Sequence, residues 1–434
     1  MKTVSEHQTE ISLYPILTVN FIGTLGFGIV LPFLIFLVTK YGGNAVIYGI
    51  MGATYSAFQL VGAPLLGKWS DHYGRRKVLI LSQIGTLLSW LIFLVAMFLP
   101  NMDLLHFDSE FSGTFILTLP LVILFFARAL DGITGGNVSV ANAYLSDITI
   151  ESNRNKNFGK MAIAANMGYI LGPALAGILG NTAWGEKLPV IAALLISTVA
   201  VVVIWILLPE SELHVLEKDP ERLNVRKMMG QEQKECFEIQ CKESLSFFEA
   251  LKLKDIGYLL ILNFLVFLGF NFFYVAFPVH VVRVLHWDLT DTGYFFSFLS
   301  IVMVIVQGPV LNSVSKKWND GRLVFWGSFI LAVSFLFYII DNRFVIYTGA
   351  VLLALGNGIM WPSLLSLTSK ISKDRFQGVI QGYASSLGSA ASIIGLLAGG
   401  MFYNQIGVGI FVLSSAIIFL IFIMSFKLPG NYKT

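Results

Sequence analysis

Charge is what this chain most lacks: only 13% of its 434 residues are Asp, Glu, Lys or Arg, about half of the ~25% usual in a soluble protein. That shortage excludes an ordinary solvated surface. Cysteine is nearly absent as well. Cys236 and Cys241 lie in the one long polar stretch, with no second Cys or His pair at zinc spacing, so neither a disulfide framework nor a metal site is expected. No G-x-x-x-x-G-K-[ST] loop is present to cradle a phosphate, which argues against ATP as the direct energy source. No zinc or serine-nucleophile motif points to an enzyme, and no cofactor is expected. The first apolar segment has no basic region before it and ends in LVTKYGG without a small-residue cleavage site. It is expected to remain as a membrane span.

What the chain has in abundance is apolar length, with hydrophobic residues making up 56%. Runs bounded by Gly, Pro and charge predict spans over 13–38, 46–67, 77–99, 117–145, 158–180 and 188–208. A second set falls at 257–282, 291–313, 323–340, 344–368, 377–402 and 408–427. The fold class that follows is an all-α membrane protein of twelve transmembrane helices in two six-helix bundles. Residues 1–208 would form the first bundle, 209–255 a charged linker and 256–434 the second. The segments PLLGKWSDHYGRRK from Pro64 and PVLNSVSKKWNDGR from Pro309 align, and Gly159, Gly172 and Gly177 recur as Gly382, Gly395 and Gly400. Such a repeat fits two pseudo-symmetric halves.

Sidedness can be read from the cations, because cytoplasmic loops are enriched in Lys and Arg. With both termini inside, 24 of the 29 Lys and Arg fall on the cytoplasmic side. The outer loops hold Lys40, Lys187, Arg283 and Arg343, and Arg128 alone lies within a span. The net charge of +3 therefore signals orientation, and no nucleic-acid partner is expected. The linker would lie on the cytoplasmic face. The triplet Asn137, Val138 and Ser139 matches a glycosylation acceptor only by chance, since it falls inside a span.

Residues 67–77, GKWSDHYGRRK, fit the pattern G-x-x-x-D-x-x-G-R-R-K. Gly67 permits close packing, Asp71 offers a carboxylate, Gly74 suits a tight turn, and Arg75, Arg76 and Lys77 supply cytoplasmic charge. This segment resembles the signature of the major facilitator superfamily, between its second and third helices. The stretch ARALDGITGGNVSVANAYLSDIT at 127–149 and MGYILGPALAGILG in the fifth span are similar to the tetracycline/proton antiporters of its drug/proton antiporter branch. The resemblance implies a cytoplasmic gate in which Asp71 meets the start of the eleventh helix, near 375–378. It also implies a monomer in a bacterial inner membrane, driven by the proton gradient. One departure stands out: GTLGFGIVLP carries Gly23 where many drug/proton antiporters have Asp.

Of the 26 acids, Asp131 alone falls deep within a span, and Arg128 stands one helical turn before it. Ionisable groups at such depth are costly unless paired or hydrated, which makes them functional candidates. Burial favours the neutral acid and the neighbouring cation favours the carboxylate, so changing hydration could move a proton on and off Asp131. The competing reading is a permanent structural ion pair.

Gly168, Gly172, Pro173 and Gly177 in the fifth span would let neighbouring backbones approach. The resemblance places the substrate near the midplane, between helices one, four, seven and ten. Its candidate contacts are Asn20 and Phe27 in helix one, Asn271 and Tyr274 in helix seven, and Asn357 and Trp361 in helix ten, with Asn166 and Tyr169 added from helix five. For each of these, packing between helices is an equally open reading. The expected function is proton-coupled efflux of small lipophilic or amphipathic organic molecules by alternating access. An uncoupled facilitator or importer and a non-transporting sensor or scaffold remain as alternatives.

Overall fold

In hydrocarbon a backbone finds no water for its N–H and C=O groups, so an apolar run long enough to cross must satisfy them within itself, as a helix. The computed structural model describes residues 12–109, 113–135, 137–149, 154–211, 247–252, 254–371 and 373–428. Among these, ten helices are long and apolar enough to cross a bilayer. A bent pair, Tyr14–Val30 and Phe33–Lys40, and the shorter apolar helix Gly409–Ser425 complete twelve spans.

The first half runs α1 Tyr14–Lys40, α2 Ala45–Tyr73, α3 Arg75–Ala96, α4 Leu119–Thr134, α5 Asn137–Asp147, α6 Arg154–Gly180 and α7 Lys187–Leu207. Within it, α4 and α5 together make the fourth span, Leu119–Asp147. After the short α8, Phe247–Lys252, come α9 Lys254–Arg283, α10 Leu289–Ile305, α11 Leu311–Ser315, α12 Asp320–Leu336, α13 Arg343–Ile371, α14 Lys373–Ile406 and α15 Gly409–Ser425. A π-helical turn at Val306–Val310, which contains Pro309, joins α10 and α11 into one span. Most of the predicted linker, 212–246, lies outside the described residues, as do Cys236 and Cys241.

Local sequence sets the ends. Asn44, Asp288 and Asn319 cap α2, α10 and α12, each side chain accepting from a backbone N–H three residues on at 2.8 to 3.1 Å. Pro15 and Pro120 sit in the first turns of α1 and α4, where a missing N–H costs nothing. Between Val30 and Phe33, where the sequence has Pro32, α1 bends by 42°.

One element was not expected from hydropathy. The connection between the third and fourth spans forms an antiparallel hairpin, β1 Asp103–Ser109 and β2 Gly113–Thr118. Phe107 pairs with Phe115 across it, their rings stacked at 4.7 Å. It is anchored to the turn between α1 and α2: Ile116 N donates to Gly42 O at 2.9 Å and Thr118 Oγ1 to Tyr41 O at 2.9 Å. The two ends of the molecule can be named after this hairpin and after the turn at Gly74.

The described contacts between the halves gather at the hairpin end. There α2 meets α14, where a Cβ at Gly400 would lie 2.6 Å from Ala45 O, and α6 meets α10, Gly177 lying directly against Gly293. Asn181 Nδ2 donates to Tyr294 Oη at 3.2 Å, and Thr290 Oγ1 donates to Asn181 Oδ1 at 3.0 Å. Tyr48 Oη donates to Tyr274 O at 3.4 Å.

Candidate functional site

Small residues bring α4 close enough to α2 to make the site. A Cβ on Gly132 would fall 2.8 Å from that of Phe58, and Gly62 runs directly against the backbone of Ile133. On this tight face α4 carries Arg128 and Asp131, 1% and 6% exposed. Arg128 Nη1 donates to Asp131 Oδ2 at 3.2 Å. The guanidinium also lies over the ring of Tyr55 at 4.8 Å and that of Phe27 at 5.9 Å, so π faces on α2 and α1 share the burden of burying it. Among the described residues its Nε meets no acceptor. Gln59 Nε2 donates to Gly135 O at 3.1 Å and ties α2 to the end of α4.

Asp131 opens on a cavity lined by residues of the first half. Its wall includes Asn20, Gly23, Thr24, Gly26 and Phe27 of α1; Tyr55 and Gln59 of α2; Leu79, Gln83, Thr86 and Trp90 of α3; Asn137 of α5; Tyr169 of α6; and Ser197 of α7. The space open to water-sized occupants is about 50 Å³. Hydrogen-bonding groups and rings thus share the wall with one carboxylate. Such a wall can orient a polar group beside an exchangeable proton.

Three of the eight predicted substrate contacts, Asn20, Phe27 and Tyr169, line this cavity together with Asp131. Phe27 packs against Tyr55 at 4.8 Å and Tyr169 at 5.8 Å. Asn20 uses its amide to donate to Met161 O at 2.9 Å, a tie between α1 and α6. The other five lie outside the cavity wall. Asn271 donates to Phe267 O at 2.7 Å and to Ser392 Oγ at 3.1 Å, fastening α9 to α14. Trp361 packs edge-on against Phe267 at 5.2 Å. Tyr274 and the half-buried Asn357 belong to the second half, and Asn166 of α6 is half-buried. Tyr55, Gln59, Gln83, Thr86 and Trp90 also line the cavity and are not among the contacts expected from sequence. A signal for the α3 residues existed: positions 79, 83, 86 and 90 make one stripe at helical spacing.

Of the predicted packing residues, Gly172 faces α1, where a Cβ would come within 2.7 Å of Gly28 Cα, and Gly168 lies against Thr24 and Leu25. Pro173 lies within α6 beside Gly28. Gly177 instead faces α10 in the other half.

At the opposite end, Gly74 turns α2 into α3 at φ +102°, a conformation that favours glycine. Around it Arg75 binds Asp71 one turn back, Asp147 Oδ2 at 2.9 Å and Ser70 Oγ at 2.6 Å, and Ser70 donates to Gly67 O. Arg76 N donates to Glu210 Oε1 at 2.9 Å and its guanidinium to Trp205 O. Arg75 and Arg76 are thus internal fasteners among α2, α3, α5 and α7, beyond the surface charge expected of them. Lys77 is exposed. The side chains of 372–379, where the gate partner of Asp71 is expected, lie outside the described residues.

The family model described as Major Facilitator Superfamily matches residues 16–340 and 259–433. Among named relatives, the class B tetracycline resistance protein of Escherichia coli is 28% identical over 393 residues, covering 90% of this chain and 88% of its own. Among solved structures, the D-xylose-proton symporter aligns with a TM-score of 0.71 at 15% identity, over 97% of this chain and 99% of its own. The human organic anion transporter aligns with a TM-score of 0.65 at 19% identity, over 97% and 100%. The two structures show a shared fold.

Proposed function

The chain belongs to the Major Facilitator Superfamily, a family of transporters, and from that premise we propose that it is a proton-coupled exporter of small lipophilic or amphipathic organic molecules. The observation that carries this reading is the Arg128–Asp131 pair, buried in the protein yet with Asp131 lining a cavity of mixed rings and hydrogen-bonding groups. A structural pair would be expected to be walled off. This one has a carboxylate at the cavity face and a cation behind it, where changing hydration shifts the balance between charged and neutral acid. Likeness to a tetracycline resistance protein supports export over import. It does not make tetracycline the substrate.

Orientation follows the cation distribution, with the Gly74 end and both termini in the cytoplasm, and likeness to a resistance protein of Escherichia coli supports a bacterial inner membrane. The contacts between Gly177 and Gly293 and between Gly400 and Ala45 then close the outer side, which suits a carrier caught facing inward. Export would proceed by binding from the inside, separation of these outer contacts, and release as Asp131 takes up a proton. Gly23, which offers no carboxylate to the cavity, favours the alternative of an uncoupled facilitator.

Internal pH in proteoliposomes distinguishes the two. Adding a panel of lipophilic compounds should trigger proton movement with the wild type and none with Asp131→Asn. Proton movement that survives the substitution would return Asp131 to a structural role, whereas radiolabelled uptake without proton movement in the wild type would establish the facilitator.

A further inference from the structure

Proline inside a helix removes one backbone N–H, and the carbonyl four residues earlier is left without its donor. In α9 that proline is Pro278, and the carbonyl belongs to Tyr274. The hydroxyl of Tyr48, on α2 in the other half, donates to it at 3.4 Å. Neighbouring helices commonly re-satisfy backbone groups freed in this way within a membrane, but here the donor comes from across the boundary between the halves. The bond lasts only while the two halves meet at the hairpin end.

Tyr48 stands on a stripe of α2 that runs from this closure to the proton site. Ala45 lies against Gly400, and Gly49 and Gly52 lie against Leu396, so positions 45, 48, 49 and 52 turn one face to the second half. One turn on, the stripe reaches Tyr55, whose ring carries the Arg128 guanidinium at 4.8 Å. Arg128 also lies near enough to Tyr48 to act on its hydroxyl electrostatically. The charged or titratable groups facing Arg128 and Asp131 are each other, Tyr48 and Tyr55 of α2 and, beyond Tyr55, Tyr169 of α6.

We propose that Tyr48 is a positioning residue for export, a latch on the outer closure whose strength follows the protonation of Asp131. With Asp131 ionised, its carboxylate offsets the charge of Arg128. When Asp131 takes a proton from the outer solution, the uncompensated guanidinium draws electron density from the Tyr48 oxygen, and the O–H becomes a better donor to Tyr274 O. Protonation thus favours the closed outer end and loss of the proton favours its opening, the order that exchange of substrate for proton requires. The assignment rests on the proton-coupled reading above and adds the residue through which the proton site acts on the halves.

The test measures outer-end distances in lipid nanodiscs by pulsed electron spin resonance. Labels go on Trp184→Cys and Val284→Cys, exposed positions in opposite halves, in a full chain carrying Cys236→Ser and Cys241→Ser. Lowering the pH from about 8 to about 5, where a buried carboxylate takes up its proton, should raise the closed fraction, and Asp131→Asn should hold it high at every pH. Tyr48→Phe should lower the closed-to-open ratio about three- to tenfold at low pH, the scale of one neutral hydrogen bond, and flatten its pH response. Pro278→Ala gives the Tyr274 carbonyl a helical N–H and should do the same, with no further loss when combined with Tyr48→Phe. An unchanged pH response in Tyr48→Phe, or additive losses in that pair, would overturn the latch. A wild type whose closed fraction ignores pH would instead refute the proton-coupled reading, while opening in both variants would still establish the latch.

Discussion

At the scale of single residues, the burial of Arg128 is stabilised by three neighbours: the Asp131 carboxylate and the rings of Tyr55 and Phe27. Removing one member of a buried ion pair leaves the other uncompensated, typically at about 3–5 kcal/mol, while replacing both by neutral groups is much cheaper. Asp131→Ala and Arg128→Met should each lower the melting temperature of the purified protein, and the double variant should recover most of the loss while remaining uncoupled. Additive losses in that cycle would show that the two groups do not depend on each other. Glycines give a second contrast. Gly26→Ala, inside α1 with nothing in its way, should be neutral or stabilise by up to about 1 kcal/mol, whereas Gly172→Ala should destabilise measurably by forcing α6 off Gly28.

Among the elements, the two halves fasten their Gly74-end helices with ion pairs of opposite polarity. Arg75 of α3 binds Asp147 of α5 at 2.9 Å, and in the second half Asp320 of α12 binds Lys370 of α13 at 2.9 Å, with Ser366 donating to the same carboxylate oxygen at 2.8 Å. The repeated segments from Pro64 and Pro309 set Arg75 against Asp320. The two halves thus carry matching fastenings with the charges reversed. Asp320→Lys should impair transport, and adding Lys370→Asp should restore at least half of it. Failure of the paired reversal to rescue would mean that the pair is incidental, as many exposed ion pairs are.

For the whole molecule, the question is which end opens. Asn181 and Thr290 join the halves at the hairpin end, their side chains 3.0 Å apart. Asn181→Cys combined with Thr290→Cys, in a chain whose native cysteines are only Cys236 and Cys241, should oxidise to a cross-link that abolishes transport, and reductant should restore it. Transport that continues with the cross-link in place would refute alternating access through this end. The β hairpin reaches across the same boundary, with Gly113 set against Asn404 of α14.

The sequence by itself determined the twelve spans, because a bilayer leaves an apolar run no choice but to close its own hydrogen bonds. It determined the turn at Gly74 and the pairing of Arg128 with Asp131 for a similar reason: positive φ favours glycine, and residues three apart on a helix must share a face. Tertiary structure alone decided what those residues meet. The turn from 103 to 118 became a hairpin only by anchoring to the backbone around Tyr41 and Gly42. Asn20 and Asn271, polar residues in apolar helices that sequence alone could not tell from Asp131, were consumed in ties between neighbouring helices. Which polar group is spent on packing and which is left facing a cavity depends on the distance to the next helix, and that distance is set where glycines from different spans come together.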